Sequence, residues 1–211
     1  ISINLDLKDS IVFKKSFFRK NLAYQIFNVE DKLLKLIQIF KKTKTPAIVY
    51  VDTRKKTQEI SKFLNKNQFK SSFYHGGLTL KEKQKAYQNW MTETSPIIVA
   101  TNAFGMGIDK SNVGLVIHYD LPQSIENYIQ ESGRAGRNET KAFAVLLKNE
   151  NDIYNYSKKI KNGLPTISEV KEIHRKLYQY LRIAKGEIFE ETYQFQISDF
   201  CKKYNFSIYK V

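Results

Sequence analysis

The sequence predicts an α/β fold, a parallel β-sheet flanked by helices, followed by a smaller helical segment. Four short apolar runs carry that reading: Ala47–Val51, Ile97–Ala100, Leu115–Tyr119 and Ala142–Leu147 have the length and composition of buried strands. Helical stretches of about 10 to 15 residues separate strand signals, which implies right-handed crossovers and parallel pairing. After residue 148 the alternation stops and the character becomes helical.

In chain order, residues 1–19 mix short apolar and basic pieces and read as a lead-in segment. Asn21–Phe27 alternates well enough to be a strand. Asp31 stands at the start of a helix to Lys42 with Leu33, Leu36, Ile37 and Phe40 on one face. After the strand Ala47–Val51, Asp52-Thr53-Arg54 opens a helix through Leu64. Phe73-Tyr74 is a short strand, and His75-Gly76-Gly77-Leu78 follows it. Thr79 to Met91 is a helix whose buried face is Ala86, Tyr87 and Trp90. Ser124 caps a helix from Ile125 to about Ser132. Residues 20–148 therefore form one domain, and 149–211 form another region. There Asn149–Asp152 is polar, Tyr154, Tyr156, Lys158, Lys159 and Lys161 follow, and Gly163-Leu164-Pro165 is a linker. Thr166-Ile167-Ser168-Glu169 is a capping box for a helix to about Lys185, stopped by Gly186, with Ile173, Leu177, Tyr180, Leu181 and Ala184 as its stripe. Asp199–Tyr204 is a short helix, and Ser207 starts another, a pattern that opens a helix-turn-helix or winged helix.

The 211 residues (24.7 kDa, 42% hydrophobic) suffice for a domain of ordinary size and a smaller piece. A net charge of +14 favours a polyanionic partner, although a solvated lysine-rich surface has the same composition. The single cysteine, Cys201, excludes a disulfide within the chain and an all-cysteine metal site. No apolar run approaches the ~20 residues of a membrane span, and no secretory signal is visible. Because residue 1 is isoleucine, the chain is expected to be a piece of a longer protein.

The functional weight lies between Ile97 and Arg137. Ligands of open α/β sheets sit beyond the carboxyl ends of strands, where Thr101, Asp109 and Asp120 fall. Gly133-Arg134 and Gly136-Arg137 then place two arginines behind glycines. Guanidinium forks match phosphate oxygens, and glycine lets backbone approach a ligand. The same residues also suit an ordinary helix end with a glycine stop and basic groups at its dipole.

Ala100 to Lys110 (Ala-Thr-Asn-Ala-Phe-Gly-Met-Gly-Ile-Asp-Lys) resembles motif V of the RecQ family of superfamily 2 DNA helicases. Gln130 to Arg137 (Gln-Glu-Ser-Gly-Arg-Ala-Gly-Arg) resembles its motif VI. DEAD-box RNA helicases would carry His-Arg before the Gly-Arg unit and Arg-Gly-Ile-Asp in motif V. Asp52-Thr53-Arg54 is similar to motif IV, and Tyr74-His75-Gly76-Gly77-Leu78 to the Tyr-His-Ala-Gly-Leu segment, with Gly76 in place of alanine. The resemblance implies a RecA-like helicase C-terminal domain over 20–148, entered through residues 1–19 from a first motor domain. Residues 149–211 would begin a RecQ-type C-terminal region.

By that resemblance, Arg137 is the arginine finger, with Arg134 on the phosphates and Gln130 in their network. Gly107 and Asp109 report nucleotide state. Thr53, Arg54, His75, Thr101 and Lys110 meet the DNA. The implied cofactors are ATP and Mg²⁺, bound mainly by the N-terminal motor domain. Zinc is not expected, since the family site needs four cysteines. The implied partners are DNA, as single strand and duplex junction, and the N-terminal motor domain; no membrane is involved. A cytoplasmic, nucleoid-associated location follows.

None of the nine glycines precedes a lysine, so the chain has no Gly-x-x-x-x-Gly-Lys phosphate loop, and no Asp-Glu pair occurs. The chain is therefore expected not to hydrolyse ATP alone, and to supply the second wall of a shared site to a 3′-5′ helicase. The alternatives are a non-catalytic nucleic-acid-binding module and half of a superfamily 2 RNA helicase.

Overall fold

From Leu22 onward strands and helices alternate except between β4 and β5: β1 (Leu22–Asn28), α1 (Lys32–Lys42), β2 (Ala47–Tyr50), α2 (Arg54–Lys66), β3 (Ser71–Tyr74), α3 (Leu80–Met91), β4 (Ile97–Ala100), β5 (Leu115–His118), α4 (Ile125–Ser132) and β6 (Ala142–Lys148). The computed structural model describes residues 19–105, 108–184, 192–208 and 210–211. The six strands form one parallel sheet in the order β1-β6-β5-β2-β4-β3.

The central strands β2, β4 and β5 are buried at every residue. Both of their faces are covered by helices, which is why they read as continuous apolar runs. Successive side chains point to opposite faces. Ile48, Ile98 and Val116 pack with Trp90 of α3, Phe104 and Ala135 on one side. Val49, Val99 and Ile117 pack with Leu36 and Phe40 of α1 and with Ile60 and Leu64 of α2 on the other. The Trp90 indole N–H donates to Ala47 O at 3.2 Å, so the buried ring leaves no donor unpaired.

The helices start where capping chemistry places them. Asp31, Thr53, Thr79 and Ser124 each accept a backbone N–H of the first turn. At the β3 margin of the sheet, Asn65 of α2 turns its amide onto Ser71. Ser71 N–H donates to Asn65 Oδ1 at 2.9 Å, and Asn65 Nδ2 donates to Ser71 O at 2.9 Å. One side chain thus occupies both backbone groups that this residue directs away from β4.

The chain divides between Asn149 and Glu150 into two compact units. The second contains α5 (Glu150–Gly163), α6 (Ile167–Leu181) and α7 (Ile197–Tyr204). The polar stretch from residue 150 forms α5. Two sequence expectations in this unit need correction. α6 ends at Leu181 rather than Lys185, because Arg182 adopts a left-handed conformation (φ 57°) and turns the chain back on Tyr178 and Gln179. Gly186, the expected stop, lies outside the described residues. The α6 stripe is only half-buried, and Ala184 is exposed. No second short helix follows α7 among the described residues. The centre of this unit is Phe200, fully buried among Tyr180, Phe195, Tyr204 and Phe206 at ring distances of 5.2 to 5.7 Å. Among the described residues no helix is long and apolar enough to cross a membrane, and no group of His, Cys, Asp and Glu side chains could hold a metal ion.

Candidate nucleotide and nucleic-acid interface

The parallel sheet delivers four sequence-predicted residues to one edge. Thr53 and Arg54 follow β2, His75 follows β3, and Thr101 follows β4. Thr53 and Arg54 are exposed, and the Thr53 hydroxyl caps α2 by accepting Lys56 N–H at 3.3 Å. Arg54 lies against Gly77: a Cβ there would stand 2.8 Å from Arg54 Nη1. Motif IV and the His75–Leu78 segment are therefore in contact, and Gly77 makes the room. His75 and Thr101 sit deeper. His75 is 6% exposed, stacks on Phe73 at 5.9 Å, and places Nε2 3.3 Å from Gln58 Nε2. Thr101 N–H donates to Tyr74 O at 3.2 Å.

Beside them, Lys56 bridges Asp120 at 2.7 Å and Asp52 at 3.1 Å. Burial raises the Asp120 carboxyl above the usual range even though Lys56 opposes it. Burial works against the Lys56 charge, yet its bonds to Asp120 and Asp52 hold its pKa above the ordinary lysine value.

The second cluster joins motifs V and VI. Arg134 is buried, and its Nη1 donates to Gly105 O. Tyr50 OH donates to the neighbouring Phe104 O at 2.9 Å. Behind Arg134, Glu131 Oε2 lies 2.9 Å from His118 Nε2, and Tyr50 stacks on the His118 ring at 5.6 Å. Burial drives the Tyr50 phenol to a strongly raised pKa, which the Arg134 guanidinium partly opposes. The phenol therefore stays a neutral donor.

Arg137 behaves differently. Its Nη1 donates to Ile108 O at 2.9 Å and to Asp109 Oδ1 at 3.0 Å. Its side chain is 36% exposed, and Asp109 is 89% exposed. Arg137 and Gln130 line an open cavity of about 1250 Å³ between α4 and β1, together with Arg19, Tyr24, Ile125 and Ile129. So of the two motif VI arginines only Arg137 faces open space. Arg134 does not line the cavity, because its fork is committed to the motif V loop. Gly107 lies outside the described residues.

The sequence expectation placed Lys110 at the DNA; the structure buries it at 6% exposure. Its ammonium donates to Met91 O at 2.9 Å and Glu93 Oε1 at 3.1 Å, and it lies 5.5 Å from the centre of the Trp90 ring. Asn112 and then Lys110 hold the Glu93 carboxyl below its ordinary pKa.

Sequence reasoning missed five residues. Tyr50 meets Arg134, and the buried His118–Glu131 pair lies against Tyr50. Arg19 and Asn21 reach the arginine turn from in front of β1: Arg19 donates to Gly133 O and Ala135 O, and Asn21 to Gly136 O and Thr140 O. These partners are 114 to 119 residues apart, and no local pattern announces them. The aromatic and acidic identities of Tyr50, His118 and Glu131 were visible, but not their convergence.

Comparison with known proteins places this geometry. Residues 29–139 match the family described as helicase conserved C-terminal domain. The chain is 34% identical over 199 residues to a putative ATP-dependent DNA helicase Q1 of Caenorhabditis briggsae, covering 90% of this chain and 32% of that protein. It is 38% identical over 146 residues to the ATP-dependent DNA helicase RecQ of Pasteurella multocida, covering 68% and 23%. It is 33% identical over 177 residues to the probable ATP-dependent DNA helicase RecS of Bacillus subtilis, covering 82% and 36%. The chain thus spans roughly a third or less of the length of these relatives. Among solved structures, the C-terminal domain of the DEAD-box protein Dbp5 superposes with a TM-score of 0.54 at 26% identity, over 65% of this chain and 81% of that one. A DEAD-box protein of Methanococcus jannaschii gives 0.57 at 23% identity, over 78% and 41%, a likeness of fold alone. The sheet is that of a RecA-like helicase C-terminal domain, and the sequence relatives are RecQ-type DNA helicases. The chain belongs to the helicase conserved C-terminal domain family.

Proposed function

We propose that this chain is the C-terminal motor half of an ATP-dependent 3′-5′ DNA helicase, completing an ATP site shared with an N-terminal motor domain. The observation that carries the reading is Arg137. Both of its hydrogen bonds come from Nη1, which leaves Nε and Nη2 for an anion at the cavity rim. The chain itself has no phosphate loop, so the opposing wall must come from elsewhere.

ATP with Mg²⁺ would supply the phosphoanhydride bond whose cleavage drives the cycle, held mainly by the N-terminal motor domain. On this side Arg137 is the finger that balances charge on the transferring phosphoryl group. Gln130 lies beside it on the cavity wall. Arg134 holds the motif V loop through Gly105, and Arg137 reaches the same loop through Ile108 and Asp109. A change at Arg137 is thereby passed along a loop that begins at Thr101 on the DNA edge. Thr53 and Arg54 meet the DNA backbone there, with His75 and Thr101 behind them. Such contacts are sequence-tolerant and salt-sensitive.

The test separates the half-site from a complete enzyme. The 211-residue chain alone is expected to show no magnesium-dependent ATP hydrolysis. A protein carrying both motor domains should hydrolyse ATP with single-stranded DNA present, and unwind DNA duplexes with a 3′ tail but not a 5′ tail. Hydrolysis by the isolated chain, or preference for the 5′ tail or for RNA duplexes, would overturn the reading.

A further inference from the structure

The turn that presents Arg137 is secured by a segment far from it in sequence. A helix leaves its last carbonyls without intrahelical donors. After α4 the chain must turn through Gly133-Arg134-Ala135-Gly136 before it can enter β6. In that turn and the approach to β6, the carbonyls of Gly133, Ala135, Gly136 and Thr140 accept side-chain donors. All four are supplied by Arg19 and Asn21. Arg19 Nη1 lies 2.9 Å from Gly133 O, and its Nη2 serves Ala135 O. Asn21 Nδ2 lies 2.7 Å from Gly136 O and 2.8 Å from Thr140 O.

Gly136 has φ +65°, and a Cβ there would stand 2.6 Å from Asn21 Nδ2 and 2.8 Å from Ala142 Cβ. The turn is therefore closed down onto Asn21, with no room for a side chain. Gly136 N–H donates to Val113 O at 2.7 Å. Arg137, the next residue, then extends to Ile108 and Asp109. The arginine is thus presented from a turn fixed by groups outside the turn itself.

We propose that Arg19, assisted by Asn21, is a positioning residue for Arg137. Its planar fork satisfies two carbonyls of the turn at once and so fixes where the Arg137 side chain begins. The inference rests on reading Arg137 as the group that faces the nucleotide phosphate. Arg19 acts through the turn and does not itself touch the reacting atoms. A lysine keeps the charge but has no fork, so it cannot replace it fully.

The test uses DNA-stimulated ATP hydrolysis by the protein carrying both motor domains, and amide hydrogen exchange in the 211-residue chain. In Arg19→Ala, kcat should fall roughly a hundredfold, the loss typical of a misplaced group. KM for ATP and affinity for single-stranded DNA should stay near wild type. Arg19→Lys should recover only part of kcat, and added methylguanidine should restore turnover to Arg19→Ala. Exchange at the Gly136 amide should speed up. A wild-type kcat and wild-type exchange in Arg19→Ala would overturn the proposal. So would a fall in kcat matched by equal losses of folded fraction and DNA affinity, since that marks general destabilisation. If Arg19→Ala does not fold, Arg19→Lys decides, and a wild-type kcat there overturns the proposal. Arg137→Ala separates the two readings. Unchanged turnover in it removes the phosphate reading and this inference together. Lost turnover in Arg137→Ala with wild-type turnover in Arg19→Ala removes the positioning role alone.

Discussion

The guanidinium of Arg134 donates to the carbonyl of Gly105 in a space that exists only because residue 105 has no side chain. A Cβ at Gly105 would stand 2.7 Å from Arg134 Nη2 and 3.4 Å from Asn102 O. Gly105→Ala must therefore displace a buried guanidinium held against Tyr50 and the loop backbone. Overpacking of this kind costs roughly 1–3 kcal/mol. We expect a lower thermal midpoint and loss of ATP turnover in the protein carrying both motor domains. A midpoint equal to wild type would show that the Gly105–Arg134 approach is not tight.

Arg137→Ala separates chemistry from folding. The pair with Asp109 is surface-exposed and contributes little to stability. We expect stability within about 0.5 kcal/mol of wild type. In the protein with both motor domains, ATP turnover should fall by roughly 10³ to 10⁵ while nucleotide binding persists. Turnover that survives the substitution would take Arg137 out of the finger role.

Lys110→Met tests whether that lysine serves the fold or the DNA. Its buried ammonium holds Met91 O and Glu93, so its removal should cost about 1–3 kcal/mol, measured by urea unfolding. Affinity of the folded protein for single-stranded DNA, and the slope of that affinity with salt, should not change. A shallower salt slope would restore Lys110 to the DNA contacts.

The second unit carries a pH-dependent tie. Lys210 Nζ lies 2.6 Å from Glu169 Oε1, and this ammonium, followed by the Thr166 N–H, draws the Glu169 carboxyl down to about 2 from an ordinary 4.5. A pKa depressed by folding stabilises the fold above the unfolded value and loses that contribution as pH falls through the folded one. The window is therefore from about 4.5 down to about 2. Carboxyl NMR titration should find Glu169 near its lower end, and Lys210→Ala should move it up. A wild-type midpoint at the ordinary value would refute the tie.

The sheet was legible because buried parallel strands leave unbroken apolar runs, as Ile97–Ala100 and Leu115–His118 do. Helix starts were legible because Asp31, Ser124 and Thr166 cap through the next few residues. α5 was not legible, since its apolar residues Ile153, Tyr154 and Ile160 remain exposed and mark no buried stripe. The burial of Lys110 was not legible for a related reason. A lysine in a nucleic-acid-binding motif looks solvent-facing, and its acceptor Glu93 stands on a left-handed turn (φ 61°) that only the folded chain brings near. The motif pattern identified both arginines as important but did not separate them. Burial divides them, with Arg134 turned inward and Arg137 outward.

Asn65 has a consequence for copies of this chain at high concentration. A bare strand margin is a template on which neighbouring molecules can add their own strands and grow fibrils. By occupying Ser71's outward donor and acceptor, the Asn65 amide interrupts that template at the start of β3. Crowded molecules meeting there find a carboxamide in place of open backbone, and Asn65→Leu would bare the Ser71 N–H.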